Sequence, residues 1–332
     1  MSERSERIIS TVPCSARSER AKRANHQHSA LLGTQCRLLT ACIPKGAPVS
    51  VTVVTDSAAA LPADLAARHG VRVVPLWLHV GDERHRDGDI DLDALVARFD
   101  EPITTAAPSP GEFATVIAEA NRRGPVLVLT IAARMSSTYD AAQLAAKLLA
   151  DDAEPGAAGD RGVTVVDTGT AAGAQALVVL AAAEAAEAGG DLAAVTAAAE
   201  RVAGRVRLAA TVADLERLAA SGRVPEAARW IGDRLGVRPL FEFRDGRAKP
   251  LRPAFSTEAA LDRVVARCAA GATPGARLHV TVLHALAPES ADRLVAAVAR
   301  LDPVSCLVGP FSPVMVAHTG RGLAGLAWWW DG

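Results

Sequence analysis

Between residues 51 and 187 the chain repeats one pattern: a short apolar or β-branched run, a polar loop, then a helical stretch. Residues 51–55 (Val-Thr-Val-Val-Thr) end in Asp56-Ser57, before a helix opened by Leu61-Pro62. Residues 73–80 form a second apolar run, followed by a polar Gly/Asp turn at 81–91 and a helix at 92–99. A third run covers 125–131, with a helix after Ser136, and a fourth covers 163–167, with a long alanine-rich helix behind it. Strands that alternate with helices of roughly 10–15 residues are joined by crossovers rather than hairpins. The pattern therefore predicts a mainly parallel sheet with helices on both faces, a three-layer α/β/α domain. In such sheets the ligand crevice lies beyond the C-terminal ends of the strands. That places Asp56-Ser57, Arg134-Met135-Ser136 and the loop at 168–173 around a predicted site.

Past residue 203 the pattern changes. Residues 214–220 and 225–235 read as helices on either side of Gly222. Residues 238–244 read as a strand, Asp245-Gly246 as a hairpin turn and 247–252 as the return strand. A strand is predicted at 277–284 and a helix at 288–300, and 314–319 with 323–330 read as a last strand pair around a glycine-rich bend. Hairpins mixed with helices predict an α/β domain with a mixed, largely antiparallel sheet. The chain thus divides into an extension at 1–48, an N-terminal domain at 49–202 and a C-terminal domain at 203–330. The opening thirty residues are rich in Ser and Arg without a hydrophobic period, so the extension reads as disordered, with a start codon set too far upstream as the close alternative.

Composition narrows the function. Half of the residues are apolar, and the formal net charge of 332 residues is -1. That balance speaks against nucleic acid or an anionic membrane as an obligatory partner, since both select strongly positive surfaces. The five cysteines (Cys14, Cys36, Cys42, Cys268 and Cys306) are odd in number and contain no C-x-x-C pair. Neither a disulfide framework nor a zinc site is predicted, and a reducing cytoplasm fits best. The longest apolar run, 176–183, is closed by Glu184 and Glu187; it is too short for a bilayer and reads as a buried helix, so no membrane insertion is expected.

No P-loop, G-x-S-x-G or H-E-x-x-H sequence occurs. The match Gly320-Arg321-Gly322-Leu323-Ala324-Gly325 fits G-x-G-x-x-G, but the chain ends seven residues later, too soon for the second strand that a dinucleotide site needs. In the segment from Thr105 to Phe113, Ser109 is placed to cap a helix with Pro110 in its first turn and Glu112 three residues on. Thr105 stands upstream of that cap without such a duty, and a ligand role is as good a reading as a structural one. Arg134-Met135-Ser136-Ser137-Thr138-Tyr139 follows a strand and begins a helix. Its hydroxyls and free N–H groups suit an anion or a plain cap equally. His318, at the end of the predicted strand 314–319, is either structural or the base of a Ser136 nucleophile.

In order and spacing these segments resemble the DegV family of fatty-acid-binding proteins. The resemblance runs from about residue 51 to 330. It is carried by Val54-Thr55-Asp56-Ser57, Val73-Val74-Pro75-Leu76, Arg86-Asp87-Gly88, the segment from Thr105 to Phe113 and that from Met135 to Tyr139. Farther on it includes Val166-Asp167-Thr168, Leu215-Glu216-Arg217-Leu218, Gly222-Arg223-Val224, Val237-Arg238-Pro239-Leu240 and His318-Thr319-Gly320-Arg321-Gly322. The resemblance implies two α/β domains and a long-chain fatty acid threaded into the interior, with no cofactor and no metal. Its carboxylate is then held by Thr105, by Ser136 and by His318, with Ser137 and Thr319 as secondary contacts. It also implies a non-catalytic carrier subunit: a separate fatty acid kinase uses ATP to phosphorylate the bound carboxylate, with Arg223 and Arg252 as candidates for docking that kinase. The expected protein is cytoplasmic and monomeric.

Three departures stand out. The family's T-S-Q-P-S is Thr105-Ala106-Ala107-Pro108-Ser109 here, its S-G-T-Y is Ser136-Ser137-Thr138-Tyr139, and Phe255 stands where the family has a basic residue, so that Arg252 would have to substitute. Two alternatives follow from the residues: a hydrolase or transferase that pairs Ser136 with His318, and a lipid sensor with no kinase partner.

Overall fold

The computed structural model describes residues 51–151, 162–213, 215–224, 237–244 and 246–332. The extension at 1–48, the cysteines within it, the predicted helix at 225–235 and Asp245 lie outside the described residues.

The predicted crossovers produce a four-stranded, fully parallel sheet. Its strands are β1 (Thr52–Asp56), β2 (Arg72–Val74), β6 (Val126–Thr130) and β7 (Val163–Asp167), in the order β2-β1-β6-β7. β6 is buried at all five positions, as a central parallel strand covered on both faces must be. The helices between these strands are α1 (Ala63–Arg68), α3 (Pro110–Asn121) and α4 (Thr138–Asp151).

The predicted strand at 73–80 is instead two strands in two sheets. Pro75 has no N–H to continue the ladder. β2 therefore stops at Val74, and β3 (Trp77–Val80) starts a separate antiparallel sheet with β4 (Glu83–Arg86) and β5 (Ile103–Ala106), in the order β4-β3-β5. The segment read as a polar turn thus contains β4; its charged sequence, Glu-Arg-His-Arg, hides a strand whose identity comes from pairing with β3. The helix α2 (Leu92–Ala97) precedes β5.

Helix α5 (Ala172–Glu187) packs against β1 and β6 of the parallel sheet and also against strands of the C-terminal sheet, and twelve of its sixteen residues are buried. Its alanines permit this approach. At Gly173 a Cβ would meet Leu283 Cδ2 at 2.5 Å and Thr281 Cγ2 at 2.6 Å, so the helix presses on strand β11 (Arg277–His284) only because no side chain is present there. Helix α6 (Leu192–Ala203), capped by Asp191, lies against α5 and leads into the second sheet.

That sheet has six strands: β8 (Arg207–Thr211), β9 (Arg238–Arg244), β10 (Arg247–Ala254), β11, β12 (Ser305–Pro310) and β13 (Ala324–Asp331), in the order β10-β9-β8-β13-β11-β12. All its pairings are antiparallel except β11 with β12. The short helix α7 (Leu215–Ala220) follows β8, and helices α8 (Thr257–Ala269) and α9 (Pro288–Val298) pack on the sheet and on one another.

Residues 314–319, read as a strand from Val-Met-Val-Ala, belong to helix α10 (Pro313–Thr319). Pro313 sits at its first turn, where a missing N–H costs nothing. Asp87 Oδ1 accepts from Val314 N at 3.0 Å, and Gly320 (φ 68°) ends the helix. His318 is therefore on the last helical turn, not at a strand end. The glycine match at 320–325 follows a helix and enters strand β13, the reverse of the dinucleotide order. Gly325 answers to packing: a Cβ there would lie 2.3 Å from Ala209 O on β8.

Candidate functional site

The order β2-β1-β6-β7 reverses direction between β1 and β6, and a cavity of about 710 Å³ opens beyond the C-terminal ends of these two strands. Ala58 after β1 and Ile131 after β6 form part of its wall, with Leu218, Val224, Val314 and Met315 from the later half of the chain. All six are buried. The volume lies within the range of small-molecule sites.

Asp56, fully buried, joins the two loops that supply this wall. Its carboxylate accepts from Ala58 N at 3.0 Å and from Ile131 N at 2.8 Å. Burial, only partly offset by these bonds and by Gln175, pushes its pKa up to about 6. Ser57 is likewise structural, its Oγ accepting from Leu76 N at 3.0 Å. The loop at 168–173 was predicted to flank the site, but none of its residues is in the cavity wall. It turns instead toward the β9–β10 hairpin, where Gly169 O accepts from Gly246 N.

The polar groups in the wall come from four segments. Thr105 is on β5, and its Oγ1 lies 2.9 Å from His318 Nε2 on α10. Arg223, just past α7, donates through Nη2 to the same Oγ1 at 3.2 Å and through Nη1 to Ser221 O at 2.7 Å. Burial, with the charges of Arg223 and Arg217, holds the His318 pKa down to about 4. The ring is thus neutral near pH 7, so Nε2 can accept the Thr105 proton while Arg223 occupies a lone pair of the same oxygen. Burial also lowers the Arg223 pKa.

Ser136 and Ser137 line the cavity from the loop before α4, with the exposed Asp140 one turn on. Ser136 Oγ lies 2.7 Å from Thr138 Oγ1 and accepts from Thr138 N at 3.3 Å. Ser136 and His318 are each hydrogen-bonded elsewhere and not to one another, so the nucleophile–base pair of the hydrolase reading is not formed. Ser109 caps α3 as predicted, with a reciprocal bond to Glu112. Burial opposes ionisation of Glu112, yet the bonds from Ser109 and Trp77 and the charge of Arg86 bring its pKa to about 2.

Of the remaining predicted residues, Thr319 is not in the wall: its hydroxyl donates to Met315 O at 3.0 Å. Arg252 is exposed on β10, away from the cavity lining. Phe255, beyond that strand, is 80% exposed. Arg223, for which the resemblance implies a docking role, also lines the cavity, against Thr105. Asp56, placed near the site by its position after β1, ties the two wall loops together without lining the cavity. The contact of Arg223 with Thr105 is not legible in the sequence, because nothing near Arg223 points to a threonine 118 positions away.

Among the described residues no group of three or more His, Cys, Asp or Glu side chains is arranged to hold a metal ion. No helix among them is long and apolar enough to cross a membrane. Cys268 is a buried thiol, and burial pushes its pKa up to about 12.

A parallel sheet and a mixed sheet share a buried alanine helix, and a ligand-sized, largely apolar cavity carries hydroxyls, an imidazole and a guanidinium in its wall; together these define an α/β protein with a small-molecule site. The chain belongs to the DegV family, whose profile, described as an uncharacterised protein family, matches residues 50–330. It is 37% identical over 286 residues to a DegV domain-containing protein of Streptomyces coelicolor, spanning 83% of this chain and 97% of the relative. Among solved structures it is similar to a DegV family protein from Thermus thermophilus, described for its fatty acid binding, at 31% identity with a TM-score of 0.75, covering 84% of this chain and 99% of that one. DegV from Bacillus subtilis, described as a fatty acid binding protein, shares the fold at 24% identity, with a TM-score of 0.73 over 85% of this chain and 99% of that one.

Proposed function

We propose that this chain binds a long-chain fatty acid in the 710 Å³ cavity and presents its carboxylate to a separate, ATP-dependent fatty acid kinase, performing no covalent chemistry itself. The observation that carries this reading is a largely apolar cavity whose lining includes Thr105, Ser136, His318 and Arg223. The fatty acid binding described for the Thermus relative supports it. A sixteen-carbon acid has about fourteen methylenes, each stabilised by roughly 0.8 kcal/mol on burial, a gross gain on the order of 11 kcal/mol before ordering costs. The head contacts need not supply affinity; they keep the carboxylate from being buried unpaired, which would cost several kcal/mol. Two hydroxyls, a neutral imidazole and one guanidinium can meet that need.

In this reading Ser137 is a secondary contact, Arg223 belongs to the head site, and the exposed Arg252 is left as the residue that meets the kinase. The protein works as a cytoplasmic monomer, and the N-terminal domain at 49–202 and the C-terminal domain at 203–330 both contribute to the ligand cavity. Denaturing mass spectrometry of the purified protein tests the ligand: a stoichiometric long-chain acid is the expected result, and protein that is reproducibly empty and takes up none overturns the reading. Reconstitution with a fatty acid kinase catalytic subunit and ATP tests the second half. There, failure to form acyl phosphate from acid-loaded protein leaves a lipid-binding protein without that partner.

A further inference from the structure

Asp56 does more than cap the turn that follows β1. One oxygen would serve for that: Oδ1 accepts from Ala58 N, two residues on. Oδ2 reaches across the sheet and accepts from Ile131 N, 75 positions away, on the loop after β6. The ladder between β1 and β6 ends at the pair Thr55 and Leu129, and past that point the two chains diverge, one toward α1 and the other toward α4. Ala58 and Ile131 both line the cavity. The carboxylate thus bridges two stretches of cavity wall where backbone pairing has stopped. Two N–H donors meet two different oxygens, and only a carboxylate offers both; an asparagine has one oxygen and an amide group that would face the second N–H. The burial of Asp56 is offset by hydrogen bonds, chiefly from Ile131, Gln175 of α5 and Ala58, and among the described residues no charged partner contributes. A fully buried carboxylate without an ion pair is costly to the fold, and the tie between the walls is what that cost supports.

We infer that Asp56 is a positioning residue for acyl recognition: it sets the spacing between the Ala58 and Ile131 walls, and through that spacing how strongly each added methylene is held. The inference rests on the fatty acid reading of the cavity and deepens it. Dispersion contacts fall off steeply, so that a gap of about 0.5–1 Å forfeits roughly a quarter to a half of the attraction. A wall released at one tie therefore weakens the contacts to the chain. The head contact between Thr105 and His318 is built on β5 and α10 and does not depend on this tie.

The test uses the full chain with decanoate and tetradecanoate, which share one head and differ by four methylenes, each displacing a fluorescent fatty acid. In wild-type protein at about pH 7.5 the longer acid should bind about 100-fold more tightly. Asp56→Asn should cut that ratio to about tenfold. A merely structural role would lower both affinities by a common factor and leave the ratio alone. Wild-type protein supplies a second measurement, which stands even where the variant does not fold. As pH falls through about 6, Asp56 takes up a proton and one of its oxygens ceases to accept, so the ratio should fall toward about tenfold near pH 5. Ionisation of the ligand head and of His318 acts on both acids and cancels from the ratio. Asp87, bonded to Ser57 and to Val314 N, is also raised in pKa by burial; Asp87→Asn should keep the fall. A ratio unchanged in folded Asp56→Asn, or flat with pH in wild-type protein, overturns the inference and leaves the fatty acid reading intact. A fall that disappears in Asp87→Asn also overturns it, and protein that holds neither acid overturns both.

Discussion

The two hydroxyls proposed to face the ligand head are held in opposite ways. Ser136 bonds within its own turn, to the hydroxyl and N–H of Thr138 two residues on. Thr105 is held by His318 and Arg223, 213 and 118 positions away, on a helix and a loop of the later half of the chain. Ser136 therefore keeps its geometry whenever the start of α4 forms. The Thr105 cluster exists only when β5, α10 and the segment after α7 are all in place. One end of the site is thus a local cap, and the other reports on tertiary structure.

The largest effect should come from breaking the assembled side. Thr105→Val leaves the Arg223 guanidinium and the His318 imidazole without their shared partner. We expect acyl binding to weaken by about 2–3 kcal/mol, roughly 30- to 150-fold, measured by displacement of a fluorescent fatty acid. Unchanged affinity would remove Thr105 from the head site.

Next comes pH. His318 has a folded pKa of about 4 against an ordinary 6.5, so between those values the unfolded chain binds more protons and stability should rise with pH. Because the ring is partly exposed, we expect about 2 kcal/mol over that window rather than the full span. Asp56 acts in the other direction. Its folded pKa of about 6 is above the ordinary 3.8, so it stabilises most at the acid end and that contribution is lost as pH climbs through 6. In wild-type protein the two slopes oppose each other between about pH 4 and 6. Urea unfolding of Asp56→Asn should show stability climbing across that range, and His318→Gln should show it falling. The same profile in both variants would contradict the assignment.

A double-mutant cycle then sharpens the contrast. In ligand-free protein, Thr105→Val and His318→Gln should couple by about 1 kcal/mol, because they share a hydrogen bond. Thr105→Val and Ser136→Ala share no partner and should add within about 0.5 kcal/mol. The smallest effect belongs to the local side: Ser136→Ala loses a neutral bond at a helix start and should cost about 0.5–1 kcal/mol of stability, with acyl affinity lowered by less than about tenfold.

Much of this architecture could be read before the structure, wherever local chemistry decides the outcome. The capping box at Ser109 and Glu112 formed as its residues dictate. The parallel strands followed from β-branched runs separated by helices, and the hairpin strands β9 and β10 from two extended runs around Gly246. The misses share a cause. Strand β8, Arg-Leu-Ala-Ala-Thr, has little strand propensity of its own and is extended because β9 and β13 pair with it on both sides. Residues 314–319 look like a strand by composition, but Pro313 and the Asp87 carboxylate, 227 positions from Val314, favour a helix. The split of residues 73–80 was open to reading from Pro75, which cannot continue a ladder.

By itself, then, the sequence determined the alternation of strands and helices in the first half, the parallel character of the first sheet, the family and the choice of Thr105, Ser136 and His318 as candidates. Only the tertiary structure decided that Thr105 and His318 touch, that Arg223 joins them in the cavity wall, and that a second, arginine-lined space shares these three residues. Caps, turns and strand runs are set by neighbours a few residues apart. A cavity is set by which faces remain unfilled once distant segments pack, and no local pattern encodes that.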